Sequence, residues 1–229
     1  MNISNRSQKT TQKGSFHSKA KTFAYRVEDG IYINLTNRCS NSCDFCLRNN
    51  SDTAYKSDCL WLLYEPSAEE VFDAVEKIYF DGCKEFVFCG YGEPTFRIDT
   101  LLETAKLIKK KYNQPIRVDT NGQGNLINKR DITEDLKGVV DTVSISLNCS
   151  NAKAYQNLCH SVYGEKAFDE ILDFGKKCVK AVPNVIFSVV ETTISDEDIE
   201  RCRKIVENIG AKFRVRLFIS DNDQNPEIK

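Results

Sequence analysis

The sequence predicts an α/β protein: a partial, open (β/α)6 barrel preceded by an N-terminal β-hairpin. Three observations carry that expectation. Short apolar or alternating runs recur between stretches of helical periodicity, six of these runs alternate with helices, and an Asp-Gly pair separates the first two runs. Strands that alternate with helices pair in parallel through right-handed crossovers. Six units are too few to close an eight-fold barrel, so the wall is expected to stay open.

TFAYRV and IYINLT read as two strands around Asp29-Gly30, a hairpin signal. A cysteine-rich loop follows, and then a weakly patterned stretch from Leu47 to Glu65. Pro66-Ser67 opens a helix in which Val71, Val75 and Ile78 recur at helical spacing. KEFVFCG reads as a buried strand, Ile98 to Tyr112 as a helix, PIRVDT as a strand and Asp131 to Lys137 as a short helix. DTVSISL, NVIFSVVETT and AKFRVRLF are the last strands, separated by helices over Lys166–Val179 and Ser195–Asn208.

Composition narrows the function classes. The chain has 229 residues, 41% of them hydrophobic, enough for one good core, and its 32 basic and 33 acidic side chains generate no global field that would recruit nucleic acid. Residues 1–21, basic and rich in Ser, Thr, Gln and Asn, read as a disordered leader, and 22–229 as one core domain. No apolar stretch reaches membrane-spanning length and no apolar signal-peptide core is present, so no membrane partner and a cytoplasmic location are expected. In that reducing compartment the ten cysteines are expected to be free, metal-bound or catalytic.

Three of them, Cys39, Cys43 and Cys46, fall in one loop as C-x3-C-x2-C, at the carboxyl end of the first barrel strand. In parallel α/β sheets that rim gathers the chemistry. Thiolates select zinc, copper(I) or iron–sulfur clusters. On spacing alone two sites are open. Cys59 would complete a closed four-thiol zinc or cluster site, or three thiolates would hold three irons of a [4Fe–4S] cube and leave the fourth iron free. Gly90-Tyr91-Gly92-Glu93-Pro94 ends the second barrel strand and Asp119-Thr120-Asn121-Gly122 the third, with Ser144, Ser146 and Asn148 on the fourth and Glu191 ending the fifth.

The cysteine spacing, with Phe45 just before the last cysteine, resembles the radical S-adenosylmethionine (SAM) superfamily, and Gly-Tyr-Gly-Glu-Pro resembles its glycine–glutamate–proline motif. Within it, IYINLTNRCSNSCDFCLRN, DTNGQGNLINKRDI, VDTVSISLN and FRVRLF are similar to the TatD-associated radical SAM proteins, from about Tyr25 to Phe218. The resemblance implies an enzyme with two cofactors, a [4Fe–4S] cluster on Cys39, Cys43 and Cys46, and SAM, whose methionine amine and carboxylate would chelate the open iron. It implies reductive cleavage of SAM to a 5′-deoxyadenosyl radical that abstracts a substrate hydrogen. Gly90, Tyr91, Gly92 and Glu93 would meet the methionyl ammonium and backbone near Phe45 the adenine. Asn121, Ser144, Ser146, Asn148 and Glu191 are candidates for the ribose and carboxylate. Tyr91 inside the glycine motif and Asn148 in place of an acid depart from the family pattern.

The implied partners are SAM, an external one-electron reductant such as flavodoxin or ferredoxin, and an unknown substrate, small molecule or protein. A functional link to a TatD-type hydrolase follows from the family name. Two other classes stay open at this point: a zinc- or cluster-stabilised α/β binding module without SAM cleavage, and an electron-transfer protein. Tyr91 either stacks on a ligand or plugs the barrel mouth. The remaining cysteines (59, 83, 89, 149, 159, 178, 202) read as buried small hydrophobes, with Cys59, Cys89, Cys149 and Cys159 the candidates for a second metal. His17 and His160 are assigned no role in the site.

Overall fold

The computed structural model describes residues 19–218. Seven strands form one sheet whose spatial order follows the chain. They are β1 (Ala24–Val27), β2 (Gly30–Ile33), β3 (Glu85–Phe88), β4 (Ile116–Thr120), β5 (Thr142–Ser146), β6 (Asn184–Val190) and β7 (Lys212–Arg216). β1 pairs antiparallel with β2, and every later pairing is parallel. The hairpin plus six-strand parallel wall agrees with the sequence expectation, and β1 and β7 lie at the two ends of the strand order.

Helices α1 (Ala68–Ile78), α2 (Ile98–Lys111), α5 (Lys166–Ala181) and α6 (Asp196–Ile209) connect successive strands. Ser67 caps α1 in a reciprocal box with Glu70, satisfying two of the free amides of the first turn. Two further helices went unread in the sequence: α3 (Gly124–Asn128) and α4 (Ala152–Cys159). Asp131–Lys137, expected as a short helix, contains instead a 3-10 turn at Glu134–Leu136. α3 is too short for periodicity to show, and α4 buries only Tyr155 and Cys159. Asn151 ahead of α4, whose side chain accepts from the Ala154 amide, was the available signal.

The hairpin turns one residue earlier than Asp29-Gly30 suggests. Gly30 already pairs with Val27, so Glu28 and Asp29 form the two-residue loop, with Glu28 at positive φ.

Alternation along the strands decides where the site lies. Ile116, Val118, Val143, Ile145, Val185, Phe187 and Val189 belong to the main buried cluster on the face the helices cover. The opposite face carries Arg117 and Asp119 on β4, Ser144 and Ser146 on β5, and Arg214 and Arg216 on β7, brought side by side by the pairing register. A filled barrel would bury apolar layers there; this inner face mixes charged and hydroxyl groups with tyrosines and a few valines.

From the leader, residues 1–18 lie outside the described region, as does His17. Lys19 to Lys21 lie within it, and Ala20 bridges Leu62.

Candidate active site

The cysteine loop leaves β2 and is held from three sides. The last turn of α4 offers two free carbonyls, which accept the Ser42 amide (Cys159 O, 3.0 Å) and the Asp44 amide (Leu158 O, 3.1 Å). From the end of β4, Asn121 Nδ2 donates to Ser40 Oγ at 2.9 Å, and Gln123 Nε2 to Asn41 Oδ1 at 2.8 Å. Asn41 in turn donates to the Tyr155 hydroxyl at 2.8 Å, and Ser161 donates to Gln123 Oε1 at 3.0 Å. On the third side Glu65 receives Thr36 Oγ1, two nitrogens of Arg38 and Nη1 of Arg97. These polar groups are far apart in sequence and carry no motif.

Cys39, Cys43 and Cys46 are each partly exposed. Amide groups point at Cys39 Sγ: the Asn41 N–H at 3.4 Å and Asn121 Nδ2 at 3.9 Å. Burial, with Glu93 nearby, pushes the Cys39 thiol up to about 11. Cys43 is also raised, first by its thiol–thiol contact with Cys159 and then by burial, and Cys46 is raised by burial. Metal loading must therefore expel protons from these thiols.

The glycine–glutamate stretch is built to touch this loop. A Cβ on Gly92 would lie 2.2 Å from Thr36 O and 2.7 Å from Arg38 O, so only glycine allows the two backbones to meet. A Cβ on Gly90 would overlap the Asn34 side chain at 2.2 Å. Glu93 is 3% exposed, and both of its carboxylate oxygens accept hydrogen bonds from the chain. Oε1 accepts from Thr95 N (3.1 Å), Thr95 Oγ1 (2.7 Å) and Thr120 Oγ1 (2.8 Å), and Oε2 from Asn121 N (2.7 Å). It is an N-cap, as a carboxylate before proline often is, yet a buried one. Burial raises its pKa and those four donors oppose the rise.

Tyr91 is also structural. Its hydroxyl reaches the carbonyls of Ser51 (2.7 Å) and Thr53 (3.0 Å), and its ring packs edge-on against Trp61 at 5.3 Å. It ties down the Leu47–Glu65 stretch, which Asn34 and Asn37 also hold through Leu60 and Leu62.

On the inner face of the sheet lies a cavity of about 570 Å³. Phe45, Cys46, Gly90, Tyr91 and Ser146 line it, so the structure brings these sequence candidates together. Ser144 lies on the same face but buried. Asn121 is turned onto the cysteine loop. Asn148 takes a positive φ and donates to Cys159 Sγ at 3.5 Å, and its buried Oδ1 has no partner among the described residues. Glu191 follows β6 and its amide donates to Arg216 O. The rest of the wall, including Tyr25, Tyr32, Tyr55 and four arginines, was not singled out in the sequence, and Asp119 was placed only at the end of a strand. Those on strands alternate with core positions, Arg48 and Tyr55 come from the Leu47–Glu65 stretch, and only the folded chain shows that they converge.

The residues fit a cluster. Soft thiolates at C-x3-C-x2-C, amide donors on one sulfur and one of the three cysteines on a cavity wall are features such a group needs. Among the described residues no group of three or more His, Cys, Asp or Glu is gathered for a single metal ion. A cube takes its cysteines on separate irons and does not require that gathering. Cys59 directs its sulfur to Trp61 O at 4.0 Å. Cys83, Cys149, Cys159, Cys178 and Cys202 are buried, as expected of small hydrophobes, whereas Cys59 and Cys89 are partly exposed.

The sequence profile of the Radical SAM superfamily matches residues 33–206, from β2 into α6. The chain belongs to the Radical SAM superfamily. Radical SAM proteins use a [4Fe–4S] cluster and SAM. The chain is 27% identical over 198 residues to a probable GTP 3′,8-cyclase of Methanosarcina acetivorans, covering 84% of this chain and 55% of that protein. Among solved structures it is similar to a radical SAM methyltransferase from Sphaerobacter thermophilus (TM-score 0.61, 17% identity, 86% of this chain and 59% of that one). It is also similar to Streptococcus suis SuiB bound to S-adenosylmethionine (TM-score 0.57, 19% identity, 82% and 38%). These two likenesses show the partial barrel. The chain spans about half the length of the curated relative it matches.

Proposed function

We propose that this chain is a radical SAM enzyme whose cluster is held by Cys39, Cys43 and Cys46 and whose SAM lies in the cavity beside Cys46. When bound, the two cofactors supply a 5′-deoxyadenosyl radical, made by one-electron reductive cleavage of SAM, that removes a hydrogen atom from the substrate. The observation that carries the reading is the superfamily match over a three-thiol loop that lines the cavity through Cys46 and has amides aimed at Cys39. The residues of the chain hold and orient. Gly90 and Tyr91 present backbone to the cavity, Phe45 offers the adenine contact, and Ser146 offers a hydroxyl to the ribose. The unpartnered Oδ1 of Asn148 is a second polar contact, with Ser144 and Glu191 candidates further along the rim. Gly92, Glu93 and Asn121 act as positioning residues: Gly92 lies against the backbone of Thr36 and Arg38, the Glu93 amide donates to Arg38 O, and Asn121 donates to Ser40.

The chain is further placed among the TatD-associated radical SAM proteins, in the cytoplasm, with a flavodoxin or ferredoxin as electron donor and a TatD-type hydrolase as functional neighbour. Its motif phrases support the first, and no helix among the described residues is long and apolar enough to cross a membrane.

Anaerobic reconstitution with iron and sulfide tests the reading. We expect a brown protein with about four irons per chain, and 5′-deoxyadenosine after dithionite reduction in the presence of SAM. Cys39→Ala, Cys43→Ala and Cys46→Ala should each abolish both signals, and Cys59→Ala should keep both. A colourless protein that takes up zinc only when Cys59 is present would sink the proposal in favour of a binding module. A brown protein that never cleaves SAM would leave electron transfer.

A further inference from the structure

The cavity wall away from the cysteine loop has its own chemistry. Its lining contains four arginines, Arg48, Arg117, Arg214 and Arg216, and one carboxylate, Asp119. Two of the arginines are committed. Arg48 donates to Asn41 O (2.9 Å) and Tyr91 O (3.3 Å). Arg117 reaches both Asp119 oxygens (2.7 and 3.0 Å) and both Glu85 oxygens (3.2 and 2.9 Å), so its charge is fully answered.

Arg214 and Arg216 are different. They sit two apart on β7, so both project from the inner face, opposite Ser188 and Val190 of β6. Among the described residues neither makes a side-chain hydrogen bond or ion pair, and Nε of Arg216 is buried with no partner. A buried guanidinium nitrogen left unpaired is costly, and fold stability alone does not explain the one on Arg216; Arg214, two residues earlier, is exposed and extends the same wall. The nearby carboxylate, Asp119, makes its ion pair with Nη1 of Arg117 and answers Arg214 and Arg216 only through space. The opposite wall is aromatic: Tyr25 and Tyr32 lie 5.7 Å apart, Tyr32 and Tyr55 6.5 Å.

We propose that Arg214 and Arg216 bind an oxyanion of the substrate, a carboxylate or a phosphate. The enzyme then acts on a small anionic organic molecule whose apolar body rests on the tyrosine wall. Guanidinium forks match the planar or tetrahedral array of acceptors on such anions and hold them in two parallel hydrogen bonds. A cavity of about 570 Å³ is in the range of small-molecule sites. The proposal rests on the reading of this cavity as the seat of radical chemistry, and it names the substrate class that reading left open.

The test is calorimetric titration of the reconstituted full chain, anaerobic and saturated with SAM, with inorganic phosphate in one arm and malonate in the other. We expect one of the two anions to bind, and its identity distinguishes a phosphate from a carboxylate substrate. Arg214→Gln and Arg216→Gln together should weaken it by about tenfold or more, and Arg216→Lys by less, because a point charge replaces a fork. SAM affinity, measured separately, should stay within about threefold, since a substrate anion site has no part in it. Unchanged thermal midpoints and circular dichroism establish that the variants fold; if the double variant does not fold, the same comparison is made with Arg216→Gln alone. The proposal fails if neither anion binds the unmodified protein, or if the variants bind as well as it does. It fails too if SAM affinity falls by the same factor, for then the arginines hold the carboxylate of SAM itself. A protein that binds the anion through these arginines but binds no SAM overturns the radical SAM reading, and with it the assignment of the anion to a substrate.

Discussion

Glu93 shows how a residue conspicuous in sequence can also bind the fold together. Its two oxygens collect donors from Thr95, Thr120 and Asn121, and so join the ends of β3 and β4 beneath the cysteine loop. Replacing it by glutamine puts an NH2 among donors. We expect Glu93→Gln to lower unfolding free energy by about 1–3 kcal/mol, measured by urea titration of the cluster-free protein. Unchanged stability combined with lost SAM affinity would instead place the carboxylate on the ligand. Gly92 belongs to the same scale. Its missing Cβ is demanded by backbone carbonyls at 2.2 and 2.7 Å, which cannot rotate away. Gly92→Ala should therefore cost about 1–3 kcal/mol and lower the iron retained after reconstitution. The motif was legible because glycine, glutamate and proline at that spacing are rare by chance. Its partners were not, because a threonine hydroxyl or a backbone carbonyl has no sequence signature.

Among the elements, α4 and α6 carry the clearest consequences. α4 docks the cysteine loop through its last carbonyls and through Tyr155, whose hydroxyl takes hydrogen bonds from Asn41 and Gln123. Tyr155→Phe keeps the packing and strands those two buried donors. We expect a loss of about 1–3 kcal/mol by urea unfolding, together with poorer cluster retention. At α6, Ser195 caps the helix, and Asp198 accepts from Ser150 (2.6 Å), Ser195 (2.9 Å) and Arg201 (2.9 Å). The hydrogen bond from Ser150, followed by those from Arg201 and Ser195, holds the carboxyl down at about 2. The folded value lies below the unfolded one, near about 3.9. The stabilisation is therefore complete above about pH 4 and fades as pH falls toward 2. Asp198→Asn should be less stable than the unmodified protein at pH 6 and show a shallower loss between pH 4 and 2, read from thermal midpoints. The long helices were readable from periodicity and from Ser67 and Ser195 as caps. α4 was not, since one buried pair at i and i+4 is a weak pattern.

The whole molecule divides its labour between the two faces of one sheet. The helix-covered face holds the core: Phe187 is fully buried and fills the space over Gly175. The inner face holds polar groups that contribute little to the core. Phe187→Ala should then cost about 3–5 kcal/mol, whereas Ser146→Ala on the adjoining strand should stay within about 0.5 kcal/mol. Comparable losses by urea unfolding would mean that the lumen is part of the core. This division also explains why an open six-strand wall suits the site: a closed, filled barrel would have no room for a cofactor and a substrate.

Read alone, the residues settled the succession of one hairpin and five further parallel strands, most of the helices, and the thiol set at C-x3-C-x2-C. Each of these is written in local spacing, of period two, of period 3.6, or of ligands in one loop. What the folded chain alone decided is which distant polar groups meet. Glu93 is held between the ends of two strands, Tyr91 anchors a loop, Gln123 and Tyr155 brace the cysteines, and Arg214 and Arg216 line a cavity with no side-chain hydrogen bond among the described residues. Strand register and helix docking set those meetings, and both depend on contacts between residues many positions apart.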